Sequence, residues 1–481
     1  CRNRVRMVAS TSPLLEPIAA SASSERHSGL GHVGARTIGA AGSFILCYNT
    51  LVGPGLLELP HTVQAAGWLP VLLALGVVCV ISALSVTFFC DAIERYPAGR
   101  RFEYCDLFGH VWGKRAFRWV MLPFALCNLS QAITAIVATA QVTDQLLLFM
   151  FDRTYALQVF PRVRILSWTE EECQYFSHCT PFKAVPEAEM EVPTVLTLGY
   201  VLCALALAPL GSLSLDDNIK FQIFAFVVQL FLMAEFSLHF WDSAQHVEAP
   251  LRVVGDSYAD VMGVAIFNFA LCMCVPSWMN EKKPAVSVNK TIWGSMAAAT
   301  FSYALIGVLG ARSSVHTNDN MLTALGQPHM PALTRLCAFL FGAIIIGFGV
   351  PVSCLVIRYN LQLSNTLSST GATLVATVAP WVLSWPLYQG HAALNVISYA
   401  GMVVNGLVNM LLPLALALSV ADPSAFGLRK SMQLEAPSTV RPLPSSLERF
   451  RSMLIRAALA LTLPAIVAAT AIKTVSQISG S

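Results

Sequence analysis

The sequence predicts an all-α polytopic membrane protein, with ten spans in two sets of five and an eleventh behind them. Three observations predict it. Hydrophobic residues fill 55% of the 481 positions and charged residues only 12%, where a soluble domain carries about 25% charged residues. Mean hydropathy is +0.62. Apolar runs long enough to cross a bilayer, roughly 20 residues each, recur along the chain with polar stretches between them. The first of these runs is interrupted by Gly53-Pro54-Gly55. Unwound backbone at membrane depth survives only when it is buried in protein or lines a cavity.

The elements follow in order. Residues 1–36 are Ser-rich, carry five arginines and lack periodicity, which predicts a disordered cytoplasmic tail. The first residue is Cys1 rather than Met, so an earlier segment, targeting sequence included, stays open. A ten-helix core is expected over 37–418, with a first repeat over 37–241 and a second over 258–418. Its spans read 37–66, 69–94, 119–150, 192–210, 219–241, 258–280, 291–311, 332–357, 372–388 and 392–418. The basic stretch 95–118 reads as a short interfacial helix, and 151–191 as a long polar loop. In that loop Cys173 and Cys179 could pair. Nine of the other cysteines lie in apolar runs, where cysteine acts as a small hydrophobe. A cytoplasmic linker over 419–451 leads to an eleventh transmembrane helix and short tail over 452–481.

Orientation follows from Lys and Arg. With the amino terminus in the cytoplasm, 22 of the 30 fall on that face and eight on the other, the asymmetry the positive-inside rule describes. The sequon at Asn128 lies inside a span, and that at Asn289 falls on the cytoplasmic face, so neither predicts a glycosylated loop.

The break has its own chemistry. Proline removes a backbone donor and glycine weakens a helix interior, so Gly53-Pro54-Gly55 predicts a helix split in two. Amides at a half-helix amino end suit a carboxylate, and carbonyls at the other half-helix suit an ammonium or a metal cation. One break can therefore read the zwitterionic backbone of an amino acid. Two inverted repeats of five spans would place a second break in span six, near Asn268. Taken alone, Phe267 and Phe269 are packing residues of the ordinary kind. In span three, Asn128 and Gln131 either face a binding site or hydrogen-bond a neighbouring helix.

The stretch NTLVGPGLLELPHTVQAAGW over 49–68 resembles the first helix of the amino acid/auxin permease family. Asn49, Gly53, Gly55, Leu57, Leu59, Pro60, Gly67 and Trp68 fit the motif. FNFALCMCVPSWMNE resembles that family's aromatic-rich sixth helix, ending in Glu281, and GFGVPVSCLVIRYNL resembles its eighth, with Pro351 and Arg358. The likeness runs from Thr37 to Leu418. It implies a LeuT-like fold, a 5+5 inverted repeat, and alternating-access transport of an amino acid, neutral by expectation. It implies substrate contacts from Asn49, Thr50, Gly53, Pro54, Gly55 and Leu56, and a pocket wall from Phe267, Asn268 and Phe269.

Two departures from the family bear on the coupling ion. In sodium-coupled relatives an Asn like Asn49 and a hydroxyl just before the span-eight proline hold the ion. Here Gly347 and Gly349 stand before Pro351, and Ser353 is the nearest substitute. Sodium would rest on Asn49 and Ser353, so a proton is the favoured coupling ion. The second departure is Glu58, three residues past Gly55, where the family has a small or apolar residue. An ionisable group in a membrane is a functional candidate. Glu58 would carry the proton, favour a cationic substrate, or face a wet vestibule. Glu235 and His239 are spaced i, i+4 near the outer end of span five; they form either a proton relay or a local pair at the interface.

Other function classes fare worse. No basic patch interleaved with aromatics suggests a nucleic-acid partner. No P-loop suggests ATP drive, and the dense cluster Glu170-Glu171-Glu172-Cys173 sits in a polar loop, so no enzyme is expected. No cofactor is expected beyond a proton or sodium ion. The expected partners are an amino acid and the lipid bilayer; the sequence names no protein partner. An amino acid sensor on the same fold is the alternative. A plasma membrane and an acidic organelle such as a vacuole or lysosome fit equally.

Overall fold

Pro54 and its flanking glycines stop the first helix where expected. In the computed structural model α1 (Ala40–Leu51) ends there, a 3-10 turn covers Pro54–Glu58, and α2 (Leu59–Ala66) resumes at a bend of 47°. Pro54 has no N–H for the ladder and disfavours helical backbone at the residue before it. The structure describes residues 36–95, 102–160, 162–169, 194–247, 250–313, 321–363, 367–388, 402–422 and 438–480. Cys173 and Cys179, most of the amino-terminal tail and the linker over 423–437 lie outside them.

Gly67 ends α2 at φ +84°, and a Cβ there would lie 2.7 Å from the Val253 carbonyl, so glycine is required by backbone and by space. Next come α3 (Trp68–Glu94), the short α4 (Tyr104–Trp112) and the long α5 (Lys114–Phe151). A capping box between Glu103 and Asp106 starts α4. Tyr104 and Phe108 bury it against Phe89 and Phe124, with ring centroids 5.0 to 6.0 Å apart.

After α5 the first part of the expected loop, as far as it is described, is strand instead. β1 (Arg153–Phe160), β2 (Arg164–Thr169) and β3 (Thr194–Thr197) form an antiparallel sheet in the order β2-β1-β3. The expected fourth span thus begins as a strand. Thr194, Val195 and Thr197 are β-branched, and they find an edge to pair with on β1. Asp144, fully buried, fastens this cap: its carboxylate accepts from the Gly199 amide at 2.8 Å and from the Tyr388 hydroxyl at 2.6 Å.

The remaining helices are α6 (Leu198–Leu207), α7 (Leu215–Gln245), α8 (Val261–Asn268), α9 (Val275–Glu281), α10 (Val288–Arg312), α11 (Met321–Leu325), α12 (Ala332–Leu340), α13 (Gly349–Leu363), α14 (Ser369–Ser384), α15 (Leu412–Ala421) and α16 (Arg451–Gly480). Six residues of π-helix, Phe341–Ile346, join α12 to α13, and Leu407–Leu411 forms a second such stretch before α15. Among the described residues eight helices are long and apolar enough to cross a membrane, or nine with the bent pair counted as one span. The fourth and ninth of the eleven expected spans are shorter: an apolar helix over Leu198–Ser212, and the 16 residues of α14. Large apolar side chains such as Leu73, Leu205, Phe231, Leu238 and Phe301 point outward, as lipid-facing surfaces do. The chain is an integral multi-pass membrane protein.

Span six is also broken. α8 stops at Asn268, and a 3-10 turn over Cys272–Cys274 leads into α9. Main-chain bonds lace spans one and six together at both ends. On the amino-terminal face Ile38 N donates to the Glu281 carbonyl at 3.1 Å and Lys283 N to the Ile38 carbonyl at 2.9 Å. At the far end Gly255 N donates to the Ala66 carbonyl at 2.8 Å, and Trp68 N to the Arg252 carbonyl at 3.2 Å. The sequon residue Asn289 gives its amide to the Arg441 carbonyl at 2.6 Å, against the linker.

Candidate functional site

The two breaks face one another across a cavity of about 80 Å³. At about 30 Å³ of liquid volume per water this is room for roughly three waters, or a small solute in their place. Span one supplies Asn49, Thr50, Gly53, Pro54 and Gly55 to the wall, span three Asn128 and Gln131, span six Phe267 and Asn268, and span eight Ser353. Sequence reasoning named each of these. Leu56 and Phe269 are not on the wall. Both are fully buried in the core beside it, Phe269 edge-on to Tyr303 at 5.6 Å. The rest of the lining is mainly apolar, from Ala135, Ile345, Ile346, Val352 and Val356, and no Asp, Glu, Lys, Arg or His joins it among the described residues.

Gly55 marks the closest approach. A Cβ on it would lie 2.2 Å from Asn268 Oδ1 and 3.0 Å from Phe267 Cδ1, so a side chain there would drive the breaks apart. Gly53 differs: nothing stands within 4 Å of its virtual Cβ. Asn268 Nδ2 donates to the Gly55 carbonyl at 3.2 Å. Asn49 Nδ2 donates to both the carbonyl and Oε1 of Gln222, at 2.8 and 2.9 Å. Both amide nitrogens thus face acceptors, which fixes their orientation. Each leaves its own oxygen without a partner, for Asn49 Oδ1 and Asn268 Oδ1 are buried and make no hydrogen bond.

Several residues that hold this geometry escaped the sequence reading. Gln222 Nε2 donates to the Phe348 carbonyl at 3.1 Å, and Gln229 Nε2 to the Val52 carbonyl at 3.3 Å. They are seven apart on α7, about two turns and so on one face. Two glutamines in an apolar span were a signal that the same reasoning could have used. Tyr303 on α10, fully buried, puts its hydroxyl 2.6 Å from the Leu51 carbonyl and 2.9 Å from that of Asn268. Ser82 Oγ donates to the Phe269 carbonyl at 2.8 Å. Asn409 Oδ1 accepts from Met273 N at 3.2 Å, and Asn409 Nδ2 donates to Asn405 Oδ1 at 2.7 Å. Asn405 Oδ1 also accepts from Gln131 at 3.0 Å. Asn405 and Asn409, one turn apart, flank or fall in a π-helical stretch, a frequent mark of function. Nothing in the sequence around Tyr303 singled it out.

The remaining candidates spread more widely. Asn128 gives its amide to the Phe124 carbonyl in its own helix at 2.9 Å, and Thr50 its hydroxyl to Leu46 at 2.8 Å. Ser353 Oγ donates to the Gly349 carbonyl at 3.3 Å. Glu58 closes the 3-10 turn, is exposed, and stands off the cavity wall. Glu235 Oε1 accepts from Thr334 Oγ1 at 2.6 Å, while Glu235 Oε2 and His239 Nε2 are buried without a partner.

One ionisable group outside the spans stands out. Glu103, 1% exposed, accepts from Ser277 Oγ at 2.7 Å and from Asn280 Nδ2 at 3.4 Å, both on α9. Burial pushes its pKa up to about 8; the Ser277 bond opposes this and the charges of Asp106 and Glu281 add to it.

A family model described as transmembrane amino acid transporter protein matches residues 36–367. No relative among curated protein sequences matches the chain. Among solved structures, MHP1 is similar in fold: a nucleobase-cation-symport-1 family transporter in a closed conformation with bromovinylhydantoin bound. The TM-score is 0.57 at 13% identity, over 91% of this chain and 94% of that one. A LeuT-type architecture is thereby shared.

Proposed function

The chain belongs to the transmembrane amino acid transporter family, and from that premise we propose that it moves small neutral amino acids by alternating access, driven by a proton gradient. The carrying observation is the cavity between the two breaks. It is polar where main chain and asparagines face it, apolar elsewhere, and without a charged side chain among the described residues. Amides at the start of the Pro54 turn have no partner in a preceding helical turn and suit a carboxylate. The unpartnered oxygens of Asn49 and Asn268 suit an ammonium. The apolar part takes a small side chain, and a charged one would lack a counter-ion there. The family is one of transporters, which supports this reading.

The proton is preferred over sodium because span eight brings Gly349 and Ser353 to the wall, with Ser353 Oγ its one side-chain oxygen there among the described residues and already donating to the Gly349 carbonyl, and sodium needs several oxygen ligands. Glu58 and the Glu235–His239 pair are the candidate carriers. Either the plasma membrane or an acidic organelle would supply the proton excess.

Uptake of labelled neutral amino acids into proteoliposomes tests this, with proton and sodium gradients imposed in turn. Accumulation under the proton gradient alone is expected, lost in Glu58→Gln or Glu235→Gln while exchange persists. No accumulation under either gradient would overturn the reading.

A further inference from the structure

We propose that a second cavity, where α3 and α15 end and α16 begins, binds the phosphate of an anionic phospholipid from the adjoining leaflet. It measures about 290 Å³, room for roughly ten waters at about 30 Å³ of liquid volume each. Arg95 lines it just past α3, and Glu448, Arg449 and Arg451 line it around the start of α16. Glu94, the last residue of α3, stands 3.9 Å from Lys282. Lys283 bonds Ile38 through the main chain, so the cavity lies on the amino-terminal face.

Charge and geometry point to a phosphate. Fully buried Asp91 accepts from Arg95 Nε at 3.0 Å and from Arg451 Nη2. Glu448 accepts from Arg451 Nη1 at 3.0 Å. Three guanidiniums against two carboxylates leave one positive charge over. Arg449 lies 4.7 Å over the Phe450 ring and pairs with no carboxylate among the described residues. Arg95 meets Asp91 through Nε alone, which leaves its terminal nitrogens to an anion. A guanidinium fork matches phosphate oxygens two at a time, and the positive end of the 30-residue α16 adds to the attraction.

Two observations favour a lipid over a soluble phosphate. The helices that meet here, α3, α15 and α16, belong to candidate membrane spans, so the cavity sits at headgroup level, where basic pockets between spans take phosphorylated headgroups. Beside it Leu447, Phe450 and Met453 are exposed, and large apolar side chains at that depth suit acyl chains.

The experiment titrates the melting temperature of the full-length protein in detergent with four probes: dioctanoyl phosphatidylinositol 4-phosphate, dioctanoyl phosphatidylcholine, inositol 1,4-bisphosphate and inorganic phosphate. The anionic lipid is expected to act at concentrations at least about tenfold lower than the others. Arg95 and Arg451 hold the buried Asp91, so the variants are made elsewhere. Arg449→Gln should weaken the apparent affinity about fivefold, and Glu448→Gln, which removes a negative charge, should tighten it about as much. Glu448→Gln also loses an ion pair, so a merely structural role would not tighten binding. Equal action of the two lipids, or an affinity unmoved in either variant, overturns the proposal. Inositol bisphosphate or phosphate acting as well as the anionic lipid overturns it too, and makes the site one for a soluble anion.

Discussion

The two broken spans reach the same shape by different routes. Span one is opened by its own residues, since Gly53-Pro54-Gly55 cannot continue α1. Span six has neither glycine nor proline between Phe269 and Leu271; Pro276 lies in the first turn of α9, where it is harmless. Its break is held by other helices. Ser82 takes the Phe269 carbonyl, Tyr303 that of Asn268, and Asn409 the Met273 amide. Span one is thus broken by its own backbone chemistry, with Tyr303 and Gln229 taking its freed carbonyls at Leu51 and Val52, whereas span six is broken only through partners that give its freed groups somewhere to go. The bonds at both ends of the pair then make two unlike breaks share one cavity.

The largest effect is expected at their contact. Gly55→Ala places a methyl on Asn268 Oδ1 and should reduce proteoliposome uptake at least a hundredfold. Gly53→Ala, with open space beside it and φ of −137°, should cost only a few-fold. Partial recovery in Gly55→Ala/Asn268→Ala would assign the loss to that collision, and equal losses at the two glycines would refute the comparison.

Smaller effects should separate the breaks themselves. Ser82→Ala and Asn409→Leu each strip a partner from span six, at about 1–3 kcal/mol apiece. Hydrogen exchange should rise over 269–274 and stay level over 52–58. A matching rise in span one would mean that the breaks are not held independently.

A further effect concerns pH. Glu103 grips the inner limb of span six through Ser277 and Asn280, whereas span one is held on that face by main-chain bonds from Ile38. Its folded pKa of about 8 lies above the ordinary carboxyl value near 4.3. The folded state therefore binds the extra proton. That stabilisation is whole below about pH 4.3 and is lost as pH rises through about 8. Melting temperature in detergent should fall over this window, less steeply in Glu103→Gln. An identical slope in the variant would remove Glu103 from the account.

The sequence by itself determined the membrane class, the first break and most of the cavity wall. These follow from signals acting over one turn or one span: apolar length, a proline without its donor, glycines at close quarters. Even the weak indication of a second break pointed to Asn268, through the expectation of two five-span sets. Only the tertiary structure decided the rest. It turned Leu56 and Phe269 into the core and made strands of residues expected to be loop and helix. It also brought Gln222, Gln229, Tyr303 and Asn409 to backbone groups far away in the chain, Tyr303 to Leu51 across 252 positions. The physical reason is that a buried carbonyl or amide must find a partner, yet its chemistry does not say which distant residue the fold will carry to it.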